Sequence, residues 1–415
     1  MIDKTKNKKI RPIFAFVIVM GIVSLFSDMT HEGARSVYGS YLNLLGTSAA
    51  TIGFVTGFGE LLGYSLRLFT GIIADRSKKY WTITFIGYAV NMAAIPALAL
   101  IPENGWIYAC ILIVVERIGK AIRQPSKNTL VSFAAKQIGE GKAFAIQEFL
   151  DQLGAFLGPV ILFLVLFLRK GLSEFNGYVI CFAVLGIPAA CTLISLYAAK
   201  RKYPHPEDFD TTKEDNRKLR LQPTFIIYMI GISLLALGFA DFPLITMHLA
   251  RNSLIQTDYL PLAYSGAMLV DAFAALLFGW LYDRFGLRVL IASSAVSACF
   301  SIFVFGMGTL AGTIIGITMW GVGMGAQESV LKSAVTTIVS KNNRSSGFGV
   351  FETAFGVFWF IGSWIMGILY DFSPVYLIVF SVATQALSVP IFYLSYRASK
   401  KLKTSDDPAQ NKEEV

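Results

Sequence analysis

Gly71-Ile72-Ile73-Ala74-Asp75-Arg76 and Gly279-Trp280-Leu281-Tyr282-Asp283-Arg284 follow one pattern and stand 208 residues apart in a chain of 415. Each run closes a long apolar stretch and opens a basic loop, so the chain reads as one membrane half written twice. Outward from these runs, the composition agrees: 54% of residues are hydrophobic, 15% are charged and 33 are Phe, more apolar surface than one water-soluble core hides. Lipid must serve as solvent. A hydrocarbon layer ~30 Å thick takes about 20 apolar residues per helix. Twelve such stretches fall near 11–42, 48–74, 80–100, 105–132, 142–168, 175–199, 223–250, 258–282, 287–308, 312–338, 345–371 and 373–398.

The formal charge of +9 sits in alternate loops instead of one patch, which argues against nucleic acid as a partner. Lys4, Lys6, Lys8, Lys9 and Arg11 precede the first stretch; Arg76, Lys78 and Lys79 follow the second; Lys200, Arg201 and Lys202 follow the sixth. Arg284, Arg288, Lys341, Arg344, Arg397, Lys400 and Lys401 continue the alternation, whereas the opposite loops hold little beyond Arg169, Lys170 and Arg251. By the positive-inside rule both termini are expected in the cytoplasm, and the protein in the inner (cytoplasmic) membrane as a multi-pass monomer. No small-residue cleavage site follows the first apolar run, which is read as a retained helix. Cys110, Cys181, Cys191 and Cys299 stand singly in apolar segments and imply no metal, redox or cofactor site.

Residues 200–222 form the one long polar interior stretch. They are expected to be a cytoplasmic linker between an N-terminal bundle (1–199) and a C-terminal bundle (223–398), with 399–415 a polar cytoplasmic tail. The repeat continues elsewhere: Phe144–Pro159 align with Phe348–Ser363, which places Glu148 on Glu352 and Gly158 on Gly362, and Asp28 falls near Asp241. Parallel six-helix repeats place a site between the halves.

On these residues the chain resembles the major facilitator superfamily (MFS) of secondary transporters. Gly71–Lys79 is similar to that family's loop signature, and Gly279–Arg288 to its echo. The resemblance implies an all-α integral membrane protein of 12 transmembrane helices in two pseudo-symmetric six-helix bundles. It also implies a cytoplasmic gate carried by Asp75, Arg76, Asp283 and Arg284. Gly154-x-x-x-Gly158-Pro159 partly resembles the motif of proton-antiporting exporters, although Val160 and Ile161 replace the glycines expected there. Arg117 resembles the mid-helix Arg of exporters, although Ala121 stands where glycine is usual. Gly-x-x-x-Gly equally serves close helix contact in any membrane protein.

A charge in the bilayer centre costs roughly 2.5 to 3.5 kcal/mol, so each must meet a partner or a wet cavity. Asp28, His31, Glu32 and Arg35 recur at i, i+3, i+4 and i+7, one face of the first helix. Asp28, Glu32, Glu60 and Asp151 are the proton-coupling candidates, the alternative for them being ion pairs such as Glu32 with Arg35 or Glu60 with Arg117. Arg117, Arg35, His31, Lys120, Arg123, Asp241, Asp271 and Glu328 are the substrate-binding candidates; Arg suits a two-point grip on carboxylate or phosphate. Depth counting at ~1.5 Å per residue sets Lys127 opposite Glu148 and Asp151 opposite Lys120 or Arg123, with Lys332 and Glu352 repeating the arrangement. Lys127, Glu148, Lys332 and Glu352 join the gating set. Phe351, Phe355, Phe358, Trp359 and Phe360 read as packing more readily than as a substrate wall.

No nucleophile, metal cluster or phosphate loop stands out, and His31, His205 and His248 lie far apart, so neither enzyme activity nor a metal site is expected. The expected function is alternating-access transport of a small organic molecule, with protons as partner. Antiport in the export direction is the first expectation and proton-coupled uptake of a small anion, suggested by Arg117, Lys120 and Arg123, is the alternative.

Overall fold

The computed structural model describes residues 4–138, 140–168, 171, 173–209, 223–286, 288–328 and 344–406. Thirteen helices carry the described chain: α1 (Lys4–Leu44), α2 (Ala49–Ser77), α3 (Tyr80–Ala97), α4 (Trp106–Ile138), α5 (Glu140–Leu168), α6 (Glu174–Lys202), α7 (Pro223–Gly238), α8 (Phe242–Arg251), α9 (Leu260–Phe285), α10 (Arg288–Ser297), α11 (Leu310–Ala326), α12 (Arg344–Phe372) and α13 (Pro374–Asp406). No strand occurs among the described residues. Among the described residues nine segments are long and apolar enough to span a bilayer, including Pro12–Leu44, Phe225–Arg251 and Val350–Phe372. The other three of the twelve expected spans are α2, which carries Glu60 and Arg67 within it, α4, which carries charges from Glu116 onward, and α11, whose expected continuation to 338 lies outside the described residues.

Two expected spans are not single helices. The seventh, read as continuous over 223–250, divides into α7 and α8 around Phe239–Asp241. Asp241 caps α8: its carboxylate accepts from the Phe242 amide at 3.0 Å, and Pro243, which has no N–H, fits the first turn. The interruption is tolerable in an apolar setting because its carbonyls find donors. Ser381 Oγ (2.7 Å) and Gln385 Nε2 (2.9 Å) donate to Gly238 O, and Trp320 Nε1 donates to Ala240 O at 2.8 Å. The ninth span is α10 followed by a π-turn at Ile302–Gly306.

The chain packs as two units. The first comprises the described residues within 1–214 and 241–269, the second those within 215–240 and 270–415. Packing and chain order thus group the segment 241–269 differently. In the first unit α1 lies centrally, against α5, α6, α8 and α4. Glycines allow the closest approach: a Cβ on Gly154 would fall 2.3 Å from Leu25 O and one on Gly158 2.1 Å from Met29 O. In the second unit α7 packs against α13 and α12, and a Cβ on Gly362 of α12 would lie 2.1 Å from Leu237 O. Phe351, Phe355 and Trp359 follow one another along α12 at centroid separations of 5.9 and 5.4 Å, and Trp359 meets Phe239 at 5.5 Å, so these rings are packing residues.

Candidate functional site

The charges expected in the first unit meet in one buried array. α4 supplies its spine, because Glu116, Lys120, Arg123 and Lys127 recur at helical spacing on one face with Arg117 beside them. α1 faces it with Asp28, His31, Glu32 and Arg35, and α2 adds Glu60.

Glu116, fully buried, is the hub. Its Oε1 accepts from Asn91 Nδ2 at 2.5 Å and lies 2.7 Å from His31 Nδ1, while Oε2 is 3.5 Å from Arg117 Nε. Arg117 Nη1 reaches both Glu60 Oε1 (3.0 Å) and His31 Nε2 (3.1 Å). A guanidinium only donates, so His31 Nε2 accepts and the ring carries its proton on Nδ1, pointed at Glu116. Arg35 Nη2 is held by Asp241 Oδ1 at 2.7 Å and lies 3.9 Å from Glu60, with Nη1 3.7 Å from Glu32. The Tyr264 hydroxyl of α9 donates to Glu32 Oε2.

Further along α4 the contacts loosen. Arg123 Nη2 is 3.9 Å from Asp28 Oδ1 and its guanidinium lies over the Tyr88 ring at 4.3 Å. Lys127 Nζ is 3.6 Å from Asp151 Oδ2. Depth counting therefore errs by about one helical turn: Lys127 meets Asp151, not Glu148, and Asp28 takes the place expected for Asp151 beside Arg123. Glu148 is exposed and accepts from Gln152 at 3.4 Å. Lys120 differs from its neighbours on α4. It is half-buried, within electrostatic reach of Asp28, Glu32, Arg117 and Arg123, yet makes no hydrogen bond or close ion pair among the described residues. Arg67, the other such cation on these helices, lies over the Tyr64 ring at 4.8 Å.

The remaining candidates stand apart. Asp75 is exposed and accepts from the Tyr80 hydroxyl at 3.3 Å across the turn from α2 to α3, and Arg76 is exposed beside it. Arg284 is exposed near the Trp280 and Phe285 rings, at 5.8 and 5.6 Å. Asp271, buried on α9 with the Gly325 backbone packed against it, and half-buried Glu328 belong to the second unit. Glu352 is half-buried on α12. The Asp283 side chain and Lys332 lie outside the described residues. Among the described residues no group of three or more His, Cys, Asp or Glu could hold a metal.

Two contributors escaped sequence reasoning: Asn91 and Tyr264 are lone polar residues in apolar stretches with no periodic signal.

The described residues thus combine helices, apolar spans, an interrupted helix and a buried array of charges. A family model described as Major Facilitator Superfamily matches residues 13–250 and 241–414, and the chain belongs to that superfamily. It is a transporter and not an enzyme. It is 34% identical over 384 residues to an uncharacterized protein of Mycobacterium tuberculosis, covering 91% of this chain and 92% of that one. It is 25% identical over 393 residues to an uncharacterized MFS-type transporter of Methanocaldococcus jannaschii, covering 89% and 92%. Among solved structures, a bacterial homologue of the human lysosomal transporter Spinster, inward-facing and unoccupied, aligns with a TM-score of 0.74 at 14% identity over 94% of this chain and 98% of that one.

Proposed function

We propose that the chain carries a small organic anion across the membrane together with a proton, by alternating access, with Lys120 as an anion ligand and Asp28 as a proton site. The observation that carries this reading is the half-buried Lys120 ammonium, which among the described residues makes no close ion pair in an array where Arg35, Arg117, Arg123 and Lys127 each make one. A desolvated cation of this kind is favourable only if an anion comes to it. Asp28 is the acid most loosely held within the array, 3.9 Å from Arg123. Its protonation removes a negative charge from the neighbourhood of Lys120 and strengthens anion binding, so proton and anion bind together. That is symport.

Antiport in the export direction is the second reading. It leans on Gly154 and Gly158, whose contacts with the α1 backbone give them a packing role that any cargo would need. Electrostatics separates the two: an anion binds with the proton, whereas a cation competes with it. In the same reading Asp75, Arg76, Asp283, Arg284 and the Lys127–Asp151 pair act as gating contacts, with Glu148, Lys332 and Glu352 at the paired inner ends of the two halves. The chain works as a monomer in the inner membrane, as two six-helix halves joined at 200–222 with both termini cytoplasmic.

A thermal-shift screen of the purified protein tests the substrate class, since a ligand of the folded form raises its melting point. Carboxylates or phosphates are expected to do so, with the response lost in Lys120→Gln. Stabilisation by organic cations alone would favour antiport.

A further inference from the structure

We propose that His31 is a proton-binding residue of the transport cycle: neutral, it holds the Arg117 guanidinium; protonated at Nε2, it turns that nitrogen to Glu32 and releases Arg117 for an anionic substrate group. The inference rests on the anion-transport reading and adds a second, proton-controlled ligand to Lys120.

The geometry provides both states of the switch. His31 is fully buried and both its ring nitrogens are engaged. Nδ1 donates to Glu116 Oε1 at 2.7 Å, a partner that suits the neutral and the protonated ring alike. Nε2 is 3.1 Å from Arg117 Nη1, a contact that exists only while Nε2 keeps its lone pair. Glu32 Oε1 waits 3.5 Å from the same nitrogen, and the other Glu32 oxygen is already taken by Tyr264. A proton arriving on Nε2 therefore changes one hydrogen bond for another: N–H replaces the lone pair, Arg117 loses its acceptor there, and the new N–H closes a short gap to Glu32. Arg117 keeps Glu60, at 3.0 Å, as its anchor, and the proton leaves from Nε2 when the cycle reverses.

The groups around the ring set its response. Glu32 and Arg35 come from its own helix, Glu60 from α2, and Glu116, Arg117 and Lys120 from α4, with Asn91 of α3 supporting Glu116. Tyr264 acts through Glu32, and Asp241 through Arg35. Further along α1, Asp28 faces Arg123 and Lys127 of α4 and Asp151 of α5, and Tyr41 meets Tyr178 of α6; Gly158 of α5 and Leu185 of α6 meet Gly33, and Pro243 of α8 meets Gly39. The ring is enclosed by fixed charges of both signs, and a proton on it is read directly by Arg117.

The chain holds only three histidines, His31, His205 and His248, so nitrogen NMR of the full-length protein labelled at histidine and arginine can follow each ring, assigned with His31→Gln and Arg117→Lys. A glutamine at position 31 can accept from Arg117 and donate to Glu116, preserving the neutral arrangement without titrating. The expected result is a ring protonated at Nδ1 alone at the alkaline end, becoming an imidazolium as the pH is lowered. The Arg117 side-chain signal should move with the same midpoint, and that movement should be lost in His31→Gln. A ring that keeps one neutral tautomer throughout, a proton on Nε2 at the alkaline end, or an Arg117 signal indifferent to His31 would each overturn the proposal. The titration needs no substrate, so its failure leaves anion symport at Lys120 to be judged separately by flux.

Discussion

Glu116 binds His31 and Asn91 from two other helices and reaches Arg117 on its own, all with one buried carboxylate. Removing one partner of a buried charged set leaves the others uncompensated, which costs about 3 to 5 kcal/mol. Glu116→Ala is therefore expected to lower the unfolding temperature of the purified protein sharply, whereas Glu148→Ala, at an exposed position, should stay within about 0.5 kcal/mol of the parent. Equal losses at the two sites would remove the array's structural role. At this scale the sequence exposed the cations and acids, because helical spacing alone sets Asp28, His31, Glu32 and Arg35 on one face. It did not reveal who pairs with whom. Counting rise per residue ignores tilt and side-chain reach, and an error of one turn exchanges Asp151 for Glu148 opposite Lys127.

Helices meet most closely where glycine leaves room for a neighbour's backbone. Gly158 on α5 and Gly362 on α12, matched by the internal repeat, both place their missing Cβ 2.1 Å from a carbonyl of an adjacent helix, Met29 O and Leu237 O. Gly158→Ala or Gly362→Ala must push helices apart, at about 1 to 3 kcal/mol by the usual cost of overpacking. A Cβ on Gly63, by contrast, meets nothing within 4 Å. Thermal unfolding should rank both tight positions well below Gly63→Ala, and a tolerated Gly158→Ala would contradict the packing account of the Gly154–Gly158 motif. Helix existence was legible from apolar length. The interruption at Phe239–Asp241 was not, because its stabilising donors, Trp320, Ser381 and Gln385, come from distant segments and hydropathy is blind to hydrogen bonding.

For the molecule as a whole, the two Asp-Arg loops and the alternation of basic loops make the superfamily legible in the sequence, since topology is written in loop charge. The same alternation predicts sidedness. A membrane-impermeant maleimide is expected to label Glu103→Cys in intact cells but Lys79→Cys only after permeabilisation, both positions being exposed in turns between helices. The reverse pattern would invert the topology. Cargo is not legible in this way, because affinity comes from side chains gathered from several helices and from cavity shape, which the fold leaves free to vary. The most direct test of anion–proton symport is the internal pH of proteoliposomes loaded with a pH-sensitive dye, followed after an anion identified by thermal shift is added outside. Interior acidification that disappears in Lys120→Gln and Asp28→Asn is the predicted result; interior alkalinisation, or acidification unchanged in both variants, would contradict it.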